Sequence, residues 1–387
     1  MTPNLGTPTP ADELMHHQTT NLMCRVGESD LSWTEKVWLS APAKDGSLQV
    51  DFGLGRYQNR NVMDGFGGIS RGREQWTVRA SRELHLDVAS ARVGPLRYDI
   101  IDPLKKVRFA LAENSTQPIA FEVEFTAHHP CFCEDRHLQH DESGFRAVSD
   151  VVRFHQSGTI EGWISVEGKR YEVRQKDWTA FRDRSWGVRL DVGAPPTDVR
   201  PARDWGDKGM AQANFMLNWS PMLMQTPSGE RYEYHYYLLA RDHKPYYFSG
   251  YRNLADGRQE RIGRIRPELQ FNDTTRKPLG GRLHFDMLSG ETRTVEIEVL
   301  GDTGFHLGTA LYLGFDGKKH GMWMGAQHVE GEKIEDTCDA AALRRIHQFR
   351  DTPIRIREGD AVGYGIFETQ ICGAWPEYGL SAESSFV

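Results

Sequence analysis

Five cysteines in 387 residues are too few, and odd in number, for a disulfide scaffold. Cys24, Cys131, Cys133, Cys338 and Cys372 fit a reducing compartment, so the expected location is cytoplasmic. No apolar run reaches the length of a membrane span. Residues 1–20, with three prolines, Asp12, Glu13, His16 and His17, lack the basic start and apolar core of a signal peptide, and read as a flexible leader. Positive charge is not in excess: 47 Lys and Arg face 54 Asp and Glu, for a net charge of −7. The basic residues form no block, which argues against a nucleic-acid partner. Several common catalytic signatures are missing as well. HExxH does not occur, and Gly65-Phe66-Gly67-Gly68 is followed neither by the lysine-serine pair of a phosphate loop nor by the third glycine of a dinucleotide motif. Helical patterning is scarce, with residues 339–349 (DAAALRRIHQF) the best candidate.

What the chain does have is period-two alternation. Leu84, Leu86 and Val88, then Phe121, Val123 and Phe125, then Leu283, Phe285 and Met287, then Val295, Ile297 and Val299 alternate with polar residues. Each such run predicts a strand with one buried face. Asp45-Gly46, Glu167-Gly168, Ser228-Gly229, Asp256-Gly257, Ser289-Gly290 and Asp316-Gly317 punctuate them as hairpin turns. The alternation lapses over residues 192–209, which hold three prolines and many charges. The expected organisation is therefore all-β: the leader 1–20, an N-terminal β domain over 21–200 and a C-terminal β domain over 201–387, each a sandwich or a barrel.

The candidate chemistry gathers at Phe181-Arg182-Asp183-Arg184-Ser185-Trp186-Gly187. An acid on strand backbone, beside guanidinium groups and an indole, suits proton donation if it is partly buried; the plain alternative is a structural ion pair. Strand parity puts Asp183, Ser185 and Arg189 on one face and Arg182, Arg184 and Trp186 on the other. His155, on a strand leading towards this segment, is a second candidate for proton relay. Glu368, in Gly363-Tyr364-Gly365-Ile366-Phe367-Glu368, is a third, and Tyr364 shares its parity. Trp186, Arg189, Trp219, Trp323 and Tyr364 are the candidate substrate-binding residues. The His- and Cys-rich run over 128–140 (HHPCFCEDRHLQH) has CxC rather than CxxC spacing, so no metal is expected there.

The run Arg182-Asp183-Arg184-Ser185-Trp186-Gly187 resembles the aspartate–Trp-Gly signature of the carotenoid 1,2-hydratase (hydroxyneurosporene synthase) group. That group sits in the two-domain lipocalin-like, or calycin, superfamily, with Diels–Alderase-type pericyclases. Gly94-Pro95-Leu96-Arg97, Phe154-His155-Gln156 and the terminal Gly363–Glu368 stretch are similar to bacterial members. Relatives often carry histidine where this chain has Arg184. The resemblance implies two lipocalin-like antiparallel β-barrels and a hydratase, isomerase or cyclase, thus a lyase or isomerase, that needs no cofactor. It implies acid catalysis from Asp183 on an apolar terpenoid, polyene, steroid-like or aromatic small molecule. The rival expectation is a lipocalin-like carrier of a hydrophobic ligand without chemistry. Homodimerisation is left open.

Overall fold

The computed structural model of the protein describes residues 6–17, 22, 27–85, 87–141, 144–190, 192–194 and 214–386. The boundary expected near residue 200, and Cys24, lie outside the described residues.

The alternating runs are strands. In Ile119–Ala127, Phe121, Val123 and Phe125 are fully buried. Between them, Glu122 and Glu124 reach the rim, where they pair with Arg97, Lys106 and Arg108. The same logic buries Leu283, Phe285 and Met287 of Pro278–Met287. Two sheets result. A 14-stranded antiparallel sheet curls around the N-terminal core of Phe52, Trp76, Phe109, Phe121 and Phe125. A second sheet closes where Thr292–Val299 pairs with Arg350–Glu358, making an eight-stranded antiparallel barrel around Tyr232, Tyr234, Tyr236 and Phe285. The all-β, two-barrel expectation is thus met. The hairpin glycines Gly46, Gly168, Gly229, Gly257, Gly290 and Gly317 all take positive φ, which only glycine adopts freely. The helix is Ala340–Ile346, with the Asp339 carboxylate accepting from the Ala341 and Ala342 amides.

Two elements depart from the sequence pattern. The run at Leu84 is not a strand, because Glu74–Glu83 ends just before it. There the Asn61 carbonyl accepts from Leu84 N and its side chain accepts from His85 N, turning the chain out of the sheet. Conversely, Gln327–Ile334, from the C-terminal half, pairs with Glu74–Glu83 at the edge of the first sheet, with Val329 opposite Ala80. The segment read as a leader also has fixed contacts. Glu13 is fully buried, and its carboxylate takes bidentate bonds of 2.7 and 2.8 Å from Arg182. A third apolar cluster lies where the barrels meet, with Trp38, Phe66 and Phe181 from one side and Phe215, Leu217, Trp219, Phe349 and Ile366 from the other.

Candidate active site

The strand Ala180–Val188 runs between Trp33–Pro42 and Ala147–Val166. Trp38 and His155 therefore lie directly across from Asp183, and Lys36 and Arg153 directly across from Ser185. Parity sorts the motif into two compartments. Even-numbered Arg182 and Arg184 turn into the first barrel. There Arg182 binds Glu13, and Arg184 binds Glu35 at 2.6 Å, every side chain of the two pairs fully buried. A charge taken out of water needs such a partner, and each pair has further hydrogen bonds to satisfy it. Odd-numbered Asp183 faces the second barrel.

Asp183 opens onto a cavity of about 180 Å³ lined by Lys36, Trp38, Arg153, Arg189, Trp219 and Glu368, with Leu217, Tyr237, Tyr312 and Phe349. The Asp183 carboxylate lies 3.7 Å from Arg153 Nε and accepts from Ser185 Oγ at 3.4 Å. Arg189 in turn donates to Ser185 Oγ. Glu368 arrives from Ala361–Cys372, opposite Trp219 on one side and Asp351 on the other. Burial pushes the Glu368 carboxyl up to about 7, the neighbouring Asp183 and Glu134 adding to the rise, while Asp351 and Arg153 pull against it. Behind it, Asp51 and Asp351 are fully buried, and burial holds both well above the usual carboxylate range. Lys36 is the counterpart. Its ammonium sits 3.1 Å from His320 Nε2 and 3.8 Å from the centre of the Tyr312 ring. Burial, and then the Arg189 charge, bring Lys36 down to about 7. His320 continues to Asp64, 3.6 Å away.

Of the residues singled out from sequence, Asp183, Glu368, Arg189 and Trp219 meet in this cavity. His155 lies behind the Trp219 indole, the ring centres 5.6 Å apart, and binds Glu134 at 2.9 Å. Trp186 faces away, stacked on His17 at 3.6 Å. Tyr364 lines a different cleft, near Lys44 and Arg231, and Trp323 is on the surface, 56% exposed. Lys36, Arg153, Tyr237 and Tyr312 complete the site without having been flagged. Lys36 had a faint signal, a cation within the largely apolar run Trp33–Pro42. Tyr237 alternates with the Tyr232-Tyr234-Tyr236 stripe, so it faces the opposite side of the strand Arg231–Arg241.

The profile of a family of unknown function (DUF8625) matches residues 9–381. No curated protein matches the chain. Among solved structures, an AttH-type protein of Nitrosomonas europaea is 14% identical, with a TM-score of 0.49 over 87% of this chain and 92% of that one. Kievitone hydratase of Nectria haematococca is 12% identical, with a TM-score of 0.40 over 87% and 88%. CghA in complex with Sch210972 is 12% identical, with a TM-score of 0.47 over 88% and 89%.

Proposed function

We propose that this chain, which belongs to the family of unknown function DUF8625, is a cofactor-independent acid–base enzyme of the hydratase, isomerase or cyclase kind. The observation that carries the reading is the meeting of Glu368, Lys36 and Asp183, from three separate strands, in one aromatic-walled cavity between the barrels. A carboxyl and an amine that both exchange protons near neutrality supply an acid and a base in one site. Glu368 gives a proton to an alkene, enol or carbonyl of the substrate. Lys36 takes one from water or from a substrate carbon, with His320 and Asp64 behind it. Where water loses the second proton the net result is addition of water, and in the reverse direction its loss; where a substrate carbon loses it, the result is a shift of a double bond. The sequence resemblance places the acid at Asp183. In the cavity Asp183 is engaged by Arg153 and Ser185, which suits it to orient Arg153 against a polar group of the substrate.

Size narrows the substrate class. A cavity of about 180 Å³ is close to what one benzene-sized ring fills, and smaller than pockets that enclose drug-sized ligands. Trp38, Trp219, Tyr237 and Tyr312 suit an unsaturated or aromatic ring, and the charged groups suit one or two oxygen substituents. A steroid or a long polyene exceeds this space.

The test is proton exchange. A panel of one-ring enones and phenols is incubated with the protein in deuterated water and followed by mass spectrometry. Wild-type protein is expected to introduce deuterium into at least one. Glu368→Gln and Lys36→Met are expected to lose about 100- to 10,000-fold in rate while still binding that compound. Binding without exchange across the panel would instead identify a carrier.

A further inference from the structure

We propose that Glu134, His155 and His235 form a binding site for one divalent first-row transition ion, such as zinc, that ties the two barrels together. This goes beyond the acid–base reading and does not rest on it. It also departs from the sequence expectation of no metal, which weighed ligand spacing only within residues 128–140. Glu134 comes from that run, but its partners lie 21 and 101 positions further along the chain.

One potential ligand atom from each residue lies within 4.8 Å of the other two, and all three residues are buried. Three ligands about 2.1 Å from one zinc would sit about 3.4 Å apart, so side-chain adjustments of about an ångström close the site. His155 Nε2 is already 2.9 Å from Glu134 Oε2. His235 is the telling member. It is 1% exposed, and neither ring nitrogen has a hydrogen-bond partner among the described residues, nor has His155 Nδ1. Buried imidazole nitrogens without partners are costly, and a cation would satisfy them. The two rings are adjacent, tilted by 34° with centres 4.0 Å apart.

Two imidazoles and a carboxylate are the donor set of zinc and of non-haem iron(II), with further positions left for water. The outer shell also fits. Arg153 holds the other Glu134 oxygen at 3.0 Å, orienting the carboxylate, and the nearby Asp183 charge offsets that guanidinium. Trp219 and Phe132 flank the imidazoles, with ring centres 5.1–5.6 Å away. Phe132 and Glu134 also line a neighbouring cavity of about 570 Å³. Glu134 and His155 belong to the first sheet, through Phe132–Cys133 and Ala147–Val166, whereas His235 lies on Arg231–Arg241 of the second. A bound ion would therefore bridge the barrels.

The test needs no substrate. Full-length protein is stripped with a chelator and titrated with zinc, and binding is read by equilibrium dialysis with elemental analysis and by melting temperature. Cobalt(II) replaces zinc to report ligand type by visible absorption. The expected result is one ion per chain, a higher melting temperature, and cobalt bands without thiolate charge transfer. Glu134→Gln and His235→Gln should each abolish stoichiometric binding while circular dichroism stays unchanged. Cys131→Ser/Cys133→Ser should keep it. The proposal is overturned if wild-type protein binds less than one zinc at 100 µM metal, roughly a thousandfold above a zinc affinity of 100 nM. It is equally overturned if both variants still bind, or if binding is lost only with the cysteines. If His235→Gln does not fold, Glu134→Gln and the cobalt spectrum decide the matter between them.

Discussion

At the residue scale, Glu368 and Lys36 share one condition: each is charged at a cost, because burial opposes its ionised form. The consequences for stability have opposite signs. Glu368 holds its proton up to about 7 in the folded chain, against an ordinary value of 4.5. The unfolded chain releases that proton first, so stability falls as pH rises from 4.5 to about 7. Lys36 moves the other way, from 10.5 down to about 7, so the unfolded chain keeps its proton longer and stability recovers above pH 7. Glu368→Gln is therefore expected to stabilise the protein by about 1–3 kcal/mol at pH 8 and by almost nothing at pH 4. Lys36→Met should help at pH 6 and lose that benefit by pH 10. Denaturant melts across pH check both, and flat differences would mean that neither group titrates where its burial indicates. Activity should follow a bell centred near neutrality, with Lys36→Met removing one limb. Asp183, Glu368, Arg189 and Trp219 were legible as candidates, and the fold brings these four to one cavity. Lys36 was not, since a lysine on a strand ordinarily reads as the solvent face. Trp323, singled out from residue type alone, stands exposed, away from that cavity.

At the element scale, strands, turns and the helix Ala340–Ile346 were readable because alternation and Gly-bearing turns report local burial directly. The strand Gln327–Ile334 was not readable as a member of the first sheet. Its pairing is chosen by which edge is free in the folded molecule, and nothing local records that. The Trp-Gly pair of the motif now has a physical reason. Gly187 has φ +128°, and a Cβ there would fall 2.0 Å from the Asp150 carbonyl oxygen of the adjoining strand. Gly187→Ala must push Ala147–Val166 and Ala180–Val188 apart, and is expected to cost about 2–4 kcal/mol. Gly72→Ala is the control, because its φ is +59° but a Cβ there meets nothing within 4 Å. It should cost only about 1–2 kcal/mol, the left-handed penalty alone. Thermal melts of the two variants separate close packing from backbone strain, and equal losses would refute the packing argument.

At the scale of the whole molecule, the exchange of Gln327–Ile334 and the shared apolar cluster around Trp38, Trp219 and Phe349 join the halves into one body. The full chain is expected to unfold in a single calorimetric transition. Residues 1–194 alone would leave Glu74–Glu83 as a bare edge strand and should aggregate; a soluble, folded monomer of that fragment would contradict this. The strand Ala180–Val188 has a further consequence, one for descent with modification. It is a partition wall whose alternate residues furnish two separate rooms: Arg182 and Arg184 the interior of the first barrel, Asp183 the crevice. One inserted or deleted codon ahead of Arg182 would swap the furnishings, sending two guanidinium groups into the crevice and stranding Glu13 and Glu35 opposite a carboxylate. Within this wall, only a change of length in steps of two leaves each face its own residues.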